Sequence, residues 1–154
     1  MKKLLLMTIP LLLLVTTACD STTSSNGKAS AGAATLYTNI NNSELSQLLE
    51  DKVTLVDIRR PEEWKQTGVV PGSNMITLFT SRGGVNPDFV SQLQRVSSPD
   101  KPVVLICRTG NRTRAGSTML VKQLGYKSVY NVTHGITGWI ADKREVASAP
   151  SMQP

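Results

Sequence analysis

The sequence predicts an α/β fold, a central parallel five-stranded sheet with helices on both faces, on three observations. Residues 53–58 and 103–106 are nearly unbroken apolar runs, the pattern of strands buried on both faces of a parallel sheet rather than alternating between core and solvent. Between strand-like runs lie segments with helical spacing, long enough to serve as crossovers between parallel neighbours. The second run also delivers Cys107 to the start of a helical stretch, and ligands of such sheets are met at the carboxyl ends of the strands.

The elements follow in order. A short strand is expected around Thr35, Leu36 and Tyr37, after which Asn42 and Ser43 cap a short amphipathic helix through Leu49. Residues 53–58 form the second strand. Pro61 opens a helix through Glu62, Glu63 and Trp64, since proline suits a first helical position. Gly68 to Gly72 turns the chain into a short third strand, Asn74, Met75 and Ile76, before a polar loop at 81–84. Pro87 and Asp88 start a helix whose apolar residues Phe89, Val90, Leu93 and Val96 recur at three and four. Residues 103–106 are the fourth strand. A helix from Arg112 to Leu124 puts Ala115, Met119, Leu120 and Leu124 on one side and stops at Gly125. Residues 128–132 are the fifth strand, and Gly135 and Gly138 flank a last helical turn containing Trp139.

The ends read differently. Lys2 and Lys3 precede a twelve-residue apolar run from Leu4 to Val15, too short to span a bilayer comfortably and built like a secretory signal, residues 1–18. Val15-Thr16-Thr17-Ala18-Cys19 resembles the lipobox of bacterial lipoproteins, with Cys19 acylated at the mature N-terminus. Thr16-Thr17-Ala18 also passes as an ordinary small-x-Ala cleavage site that would release a soluble protein. The lipoprotein reading places the chain on the periplasmic side of a bacterial membrane. Residues 20–33 are small and polar, bury too little to order themselves, and form a tether with a typical reach of about 20 Å. The domain then spans 34–146, and 147–154 is expected to be a disordered tail. Each motif occurs once, so no tandem repeat is present.

The chain carries a formal charge of +6, which falls to +4 if Lys2 and Lys3 leave with the signal. No basic helix or aromatic platform accompanies that charge, which argues against nucleic acid. One histidine and one usable cysteine close no metal site, and no cofactor is expected. Cys19 lies in the tail and Cys107 in a loop, so no structural disulfide is expected either.

The loop Cys107-Arg108-Thr109-Gly110-Asn111-Arg112-Thr113 carries the chemistry. A helix start offers amides with no intrahelical partner and a positive dipole end, and Gly110 allows the tight turn. A cysteine in such a cradle with arginine neighbours forms a thiolate readily. The alternative, an inert buried cysteine ending a core strand, leaves the cluster Arg108, Arg112 and Arg114 without anions to meet.

Cys-x-x-Gly-x-Arg-Thr resembles the active-site loop of single-domain rhodanese-like sulfurtransferases. The resemblance extends to Asp57-Ile58-Arg59-Arg60-Pro61-Glu62-Glu63-Trp64, to the turn Gly68-Val69-Val70-Pro71-Gly72-Ser73 and to Gly135-Ile136-Thr137-Gly138-Trp139, in the family's order. It implies that Cys107 carries a sulfane sulfur as a persulfide, taken from a small anionic donor and passed to a thiol or cyanide, in a monomer. Substrate contacts fall on Arg108, Thr109, Gly110, Asn111, Arg112, Thr113 and a rim cation, Arg59. Asp57 and Trp139 are structural near the site, and Glu62 and Glu63 are helix-start acids. His134 has no assigned role. Two other readings share these residues: a sulfur carrier without turnover, and a phosphatase or arsenate reductase on the same scaffold.

Overall fold

The structure, a computed structural model, describes residues 36–149. Five strands and five helices alternate: β1 (Thr38–Ile40), α1 (Asn42–Glu50), β2 (Thr54–Asp57), α2 (Pro61–Thr67), β3 (Asn74–Met75), α3 (Phe89–Val96), β4 (Val103–Ile106), α4 (Asn111–Leu124), β5 (Val129–Val132) and α5 (Gly135–Ala141). The sheet order is β1-β5-β4-β2-β3, and every pair is parallel.

The two-residue period of β4 splits the core into two layers. Val103 and Leu105, followed by Cys107, pack with Phe89 and Leu93 of α3 and Leu120 of α4. Val104 and Ile106 pack on the opposite face with Leu45 of α1 and Ile136 and Trp139 of α5. The whole of β4 is buried, which accounts for its unbroken apolar sequence. Cys107 therefore lies on the α4 face, at the carboxyl edge of the central strand.

The structure corrects several element boundaries. The first strand begins at Thr38, three residues beyond its expected start, because Ile40 is the residue that reaches the core, 3% exposed, while Leu36 stays out. The cap of α1 is Asn41, not Asn42 or Ser43. Its Oδ1 accepts the amides of Ser43 and Glu44 at 2.8 and 3.0 Å, and Glu44 accepts the Asn41 amide at 2.7 Å. Helix α3 starts at Phe89, after Asp88.

The fully buried residues of α4 are Thr113, Gly116, Ser117 and Leu120; of the expected side, Leu120 is buried and Met119 and Leu124 pack against the same core, while Ala115 is exposed. Small residues win there because the helix lies close to the sheet. A Cβ at Gly116 would come within 2.9 Å of Leu78 Cδ2 and 3.2 Å of Leu105 Cδ1. Ala147, expected in the tail, is instead paired with the body of the domain. Ala147 exchanges both backbone hydrogen bonds with Val69, at 2.9 and 2.8 Å. The signal, Cys19 and the tether lie outside the described residues, as do residues 150–154. No helix of the described residues is long and apolar enough to cross a membrane.

Candidate active site

The loop after β4 is shaped by what it packs on. Gly110 has φ +87° and caps α4 in the left-handed region. A Cβ there would overlap the Thr133 carbonyl and sit 3.1 Å from the Val132 oxygen, so only glycine lets the loop close against the end of β5. On its other side, the first turn of α5 donates into the loop: Ile136 N to the Cys107 carbonyl at 2.8 Å and Thr137 N to the Arg108 carbonyl at 3.1 Å. These bonds engage the two carbonyls with α5, while the Gly110 amide faces the sulfur.

The sulfur sits between one amide and one hydroxyl. Gly110 N donates to Cys107 Sγ at 3.2 Å, and Thr113 Oγ1 lies 3.6 Å from it. Thr113 Oγ1 also donates to the Gly110 carbonyl at 2.8 Å, so in this arrangement it accepts from a protonated Cys107. On ionisation the same hydroxyl is placed to turn and donate to the thiolate. Cys107 is 1% exposed and is a free thiol. Thr109 and Asn111 are exposed, and their side chains make none of the hydrogen bonds found among the described residues. Their contribution is the course of the backbone.

Arg59 is a correction. It borders the cleft but is not a free cation there: it is 1% exposed, and all its donors are engaged. Nε reaches Asp57 Oδ1 and Oδ2 at 2.9 and 3.0 Å, Nη1 reaches Thr67 Oγ1 and the Glu63 carbonyl, and Nη2 reaches Asp57 Oδ2 and the Gly68 carbonyl at 2.7 and 2.8 Å. Asp57, fully buried, also accepts the Arg59 amide at 3.1 Å. The pair ties the end of β2 to α2 beside the loop.

Arg112 reaches the site but not as a free charge. It forms a two-pronged pair with Glu63, Nη1 to Oε2 at 2.7 Å and Nη2 to Oε1 at 2.5 Å. Glu63 was expected only as a helix-start acid, and it is the site residue that sequence reasoning missed. Its Oε2 also accepts the Arg60 amide at 3.1 Å, so the same carboxylate caps the start of α2. Burial pushes the Glu63 carboxyl up, but the Arg112 and Arg60 hydrogen bonds outweigh it and hold the group down at about 2. Glu63 in turn raises the Arg112 guanidinium above its usual range against the opposing effect of burial.

Two cavities open beside the loop. One, of about 200 Å³, is walled by Arg59, Gln66, Thr67, Arg108, Ile136, Thr137 and Ile140. The other, of about 550 Å³, lies toward Phe79 and Ser81. Arg108 and Glu63 border both. His134 is exposed, precedes α5 and borders neither cavity. Trp139 is buried in the opposite layer, its Nε1 donating to the Glu145 carbonyl at 2.7 Å and its ring under Arg144 at 4.9 Å.

Comparison with known proteins agrees with this geometry. A family model described as a rhodanese-like domain matches residues 41–142. The rhodanese domain-containing protein CG4456 of Drosophila melanogaster is 38% identical over 82 residues, covering 50% of this chain and 72% of that protein. Among solved structures, Rv0390 from M. tuberculosis superposes with a TM-score of 0.63 at 25% identity, over 73% of this chain and 99% of its own. A rhodanese-related protein from Thermoplasma volcanium gives 0.54 at 28% identity, over 73% and 100%.

Proposed function

This chain belongs to the rhodanese-like domain family, and from that premise we propose that it is a sulfurtransferase in which Cys107 carries a sulfane sulfur between a donor, thiosulfate or a persulfide, and a thiophilic acceptor. The observation that supports this best is the cradle itself: the sulfur accepts the Gly110 amide and lies beside the Thr113 hydroxyl. A persulfide extending from Sγ into the turn meets the same donors. In the loading step the Cys107 thiolate attacks the donor's terminal sulfur. A new S–S bond forms, the donor's S–S bond breaks, and its electron pair leaves with sulfite or with a thiolate. An acceptor thiolate or cyanide then takes the outer sulfur and returns the Cys107 thiolate. No external oxidant or reductant is required.

The experiment is mass spectrometry of the domain treated with thiosulfate and, separately, with a low-molecular-weight persulfide. The domain gains the mass of one sulfur at Cys107, cyanide removes it, and Cys107→Ser abolishes the gain without unfolding the protein. A Cys107→Ser variant that still loads sulfur overturns the assignment. The near-complete burial of Cys107 favours one alternative, a carrier that loads sulfur without multiple turnover. Steady-state assays over several donors and acceptors decide between the two.

The proposal also seats the domain on the outer side of a bacterial membrane, on a lipid at Cys19, from the charged start, apolar run and Ala18-Cys19 of the sequence. Cys19→Ala then moves the protein from the membrane fraction to the soluble one. A protein already soluble with an unmodified N-terminus removes the anchor and leaves export standing.

A further inference from the structure

The cysteine loop is braced on one side by α5, whose Ile136 and Thr137 amides take the Cys107 and Arg108 carbonyls, and at its base by β5, against which Gly110 closes. Its other end, where α4 begins, has less support. Gly110 caps α4 with no side-chain hydrogen bond, and Arg108, Thr109 and Asn111 are exposed, with no side-chain hydrogen bond or ion pair among the described residues. Among those residues, the only side-chain tie from 108–112 to another element is Arg112 to Glu63. Glu63 is itself fixed. Its carbonyl accepts Arg59 Nη1 at 3.3 Å, Arg59 is paired with Asp57 at the end of β2, and its Oε2 accepts the Arg60 amide at 3.1 Å. The carboxylate is thus held by the sheet edge and by α2, and the guanidinium takes both its oxygens in a fork that fixes direction as well as distance.

We propose that Glu63 is a positioning residue for the chemistry of Cys107: through Arg112 it sets the start of α4, and with it the Gly110 amide that Cys107 Sγ accepts at 3.2 Å. Arg112 stands in the first turn of α4, where Arg114 N and Thr113 Oγ1 both donate to the Gly110 carbonyl, so a displacement of that turn carries the Gly110 peptide with it. A hydrogen bond to a thiolate depends on alignment, and the shift of a turn weakens it. The carboxyl is held down at about 2, so at neutral pH it has no proton to give. As a bare charge beside a thiolate it would only oppose ionisation, whereas a geometric role accounts for its place. The proposal rests on the sulfurtransferase reading for the reaction served, but the thiol alone tests it.

The test is the pH profile of alkylation by iodoacetamide, a neutral reagent, read at Cys107 by peptide mass spectrometry of the full chain. Glu63→Asp keeps the charge but is shorter by one methylene, about 1.5 Å, and cannot both hold Arg112 and cap α2. The midpoint of its profile should rise by about one pH unit, the weight of one hydrogen bond to a charged group. Arg112→Lys keeps the other charge, loses the fork and should give a similar rise, so it decides the matter if Glu63→Asp does not fold. Glu63→Gln, with its oxygen in the Oε2 place, keeps the Arg60 amide and Arg112 Nη1 and should shift less than Glu63→Asp. If Glu63 acts by charge alone, the two charge-conserving variants keep the wild-type midpoint and Glu63→Gln lowers it; either result overturns the proposal. Mere loosening would expose Cys107, 1% exposed in the native protein, and raise the rate at every pH without moving the midpoint, which overturns it equally. Sulfur loading from thiosulfate, followed in parallel, should fall in the variants whose midpoint rises. Midpoints that move as expected while the wild-type protein loads no sulfur uphold the positioning role and remove the sulfurtransferase reading instead.

Discussion

Gly135→Ala tests whether the backbone contact between α5 and the cysteine loop builds the site. Gly135 has φ +54°, in the left-handed region where an L side chain costs about 1–2 kcal/mol. The larger effect is steric. An added Cβ would overlap the Cys107 carbonyl and sit 2.5 Å from the Arg108 oxygen and 2.6 Å from its carbon, whereas ordinary contact begins at 3.4 Å. Relief requires a separation of close to an ångström, which takes the 2.8 Å bond from Ile136 N and the 3.1 Å bond from Thr137 N out of range. Two bonds at about 1 kcal/mol each, added to the backbone strain, give a destabilisation of about 3–4 kcal/mol. With its carbonyls released, the loop loses the orientation of its amides, so sulfur loading at Cys107 should fall even in the folded fraction. Urea denaturation gives the first quantity and mass spectrometry of the persulfide, below the unfolding transition, gives the second. A loss under about 1 kcal/mol with loading unchanged would refute the reasoning.

Three further outcomes are expected. Asp57→Ala strands the buried Arg59 guanidinium and should cost about 3–5 kcal/mol in denaturant unfolding; a near-neutral result would restore Arg59 as a rim cation. Glu63 titrates at about 2 in the folded protein against 4.5 ordinarily, so its ionised form contributes stability that is present above pH 4.5 and lost as pH falls through that window toward 2. Glu63→Gln should therefore flatten the stability curve between those values, and unchanged acid sensitivity would show that the Arg112 pair does not form in solution. The third outcome concerns loop length. The related phosphatases and arsenate reductases use Cys-x5-Arg, one residue longer than Cys107 to Arg112, so p-nitrophenyl phosphate hydrolysis should stay at background. Cys107-dependent phosphatase activity exceeding sulfur transfer in kcat/KM would overturn the assignment.

Much of the fold was legible because it rests on local patterns. Residues 103–106 are buried on both faces and carry no polar residue, so the fourth strand could be placed to the residue. Pro61 announced α2 and Gly125 ended α4 for stereochemical reasons that need no partner. The errors fall where a distant contact decides. Thr38 rather than Thr35 begins β1 because β5 sets the register, Thr38 opposite Tyr130 and Ile40 opposite Val132. Ala147 is ordered only because Val69, far earlier in the chain, supplies its hydrogen bonds. On α4 only Ala115 was misplaced: apolar spacing puts it beside Met119 and Leu120, while the close approach to Leu78 and Leu105 gives the buried position to Gly116.

The same distinction explains the charges of the site. Cys107, Gly110 and Thr113 are close in sequence, so the turn that joins them could be read directly, and the structure brings the three within hydrogen-bonding range of one another. A count of arginines, by contrast, says nothing about which remain free. Glu63 meets Arg112 across 49 residues, and the only local sign of it was its third position in α2 after Arg60, a capping place that accounts for the carboxylate without disclosing a second partner. Asp57 and Arg59 are two apart and read as a strand end beside a cation. Burial turns them into a closed pair, because a guanidinium with every donor engaged has none left for a ligand. What distinguishes Arg108 is therefore not its place in the motif but the lack of a carboxylate within reach among the described residues.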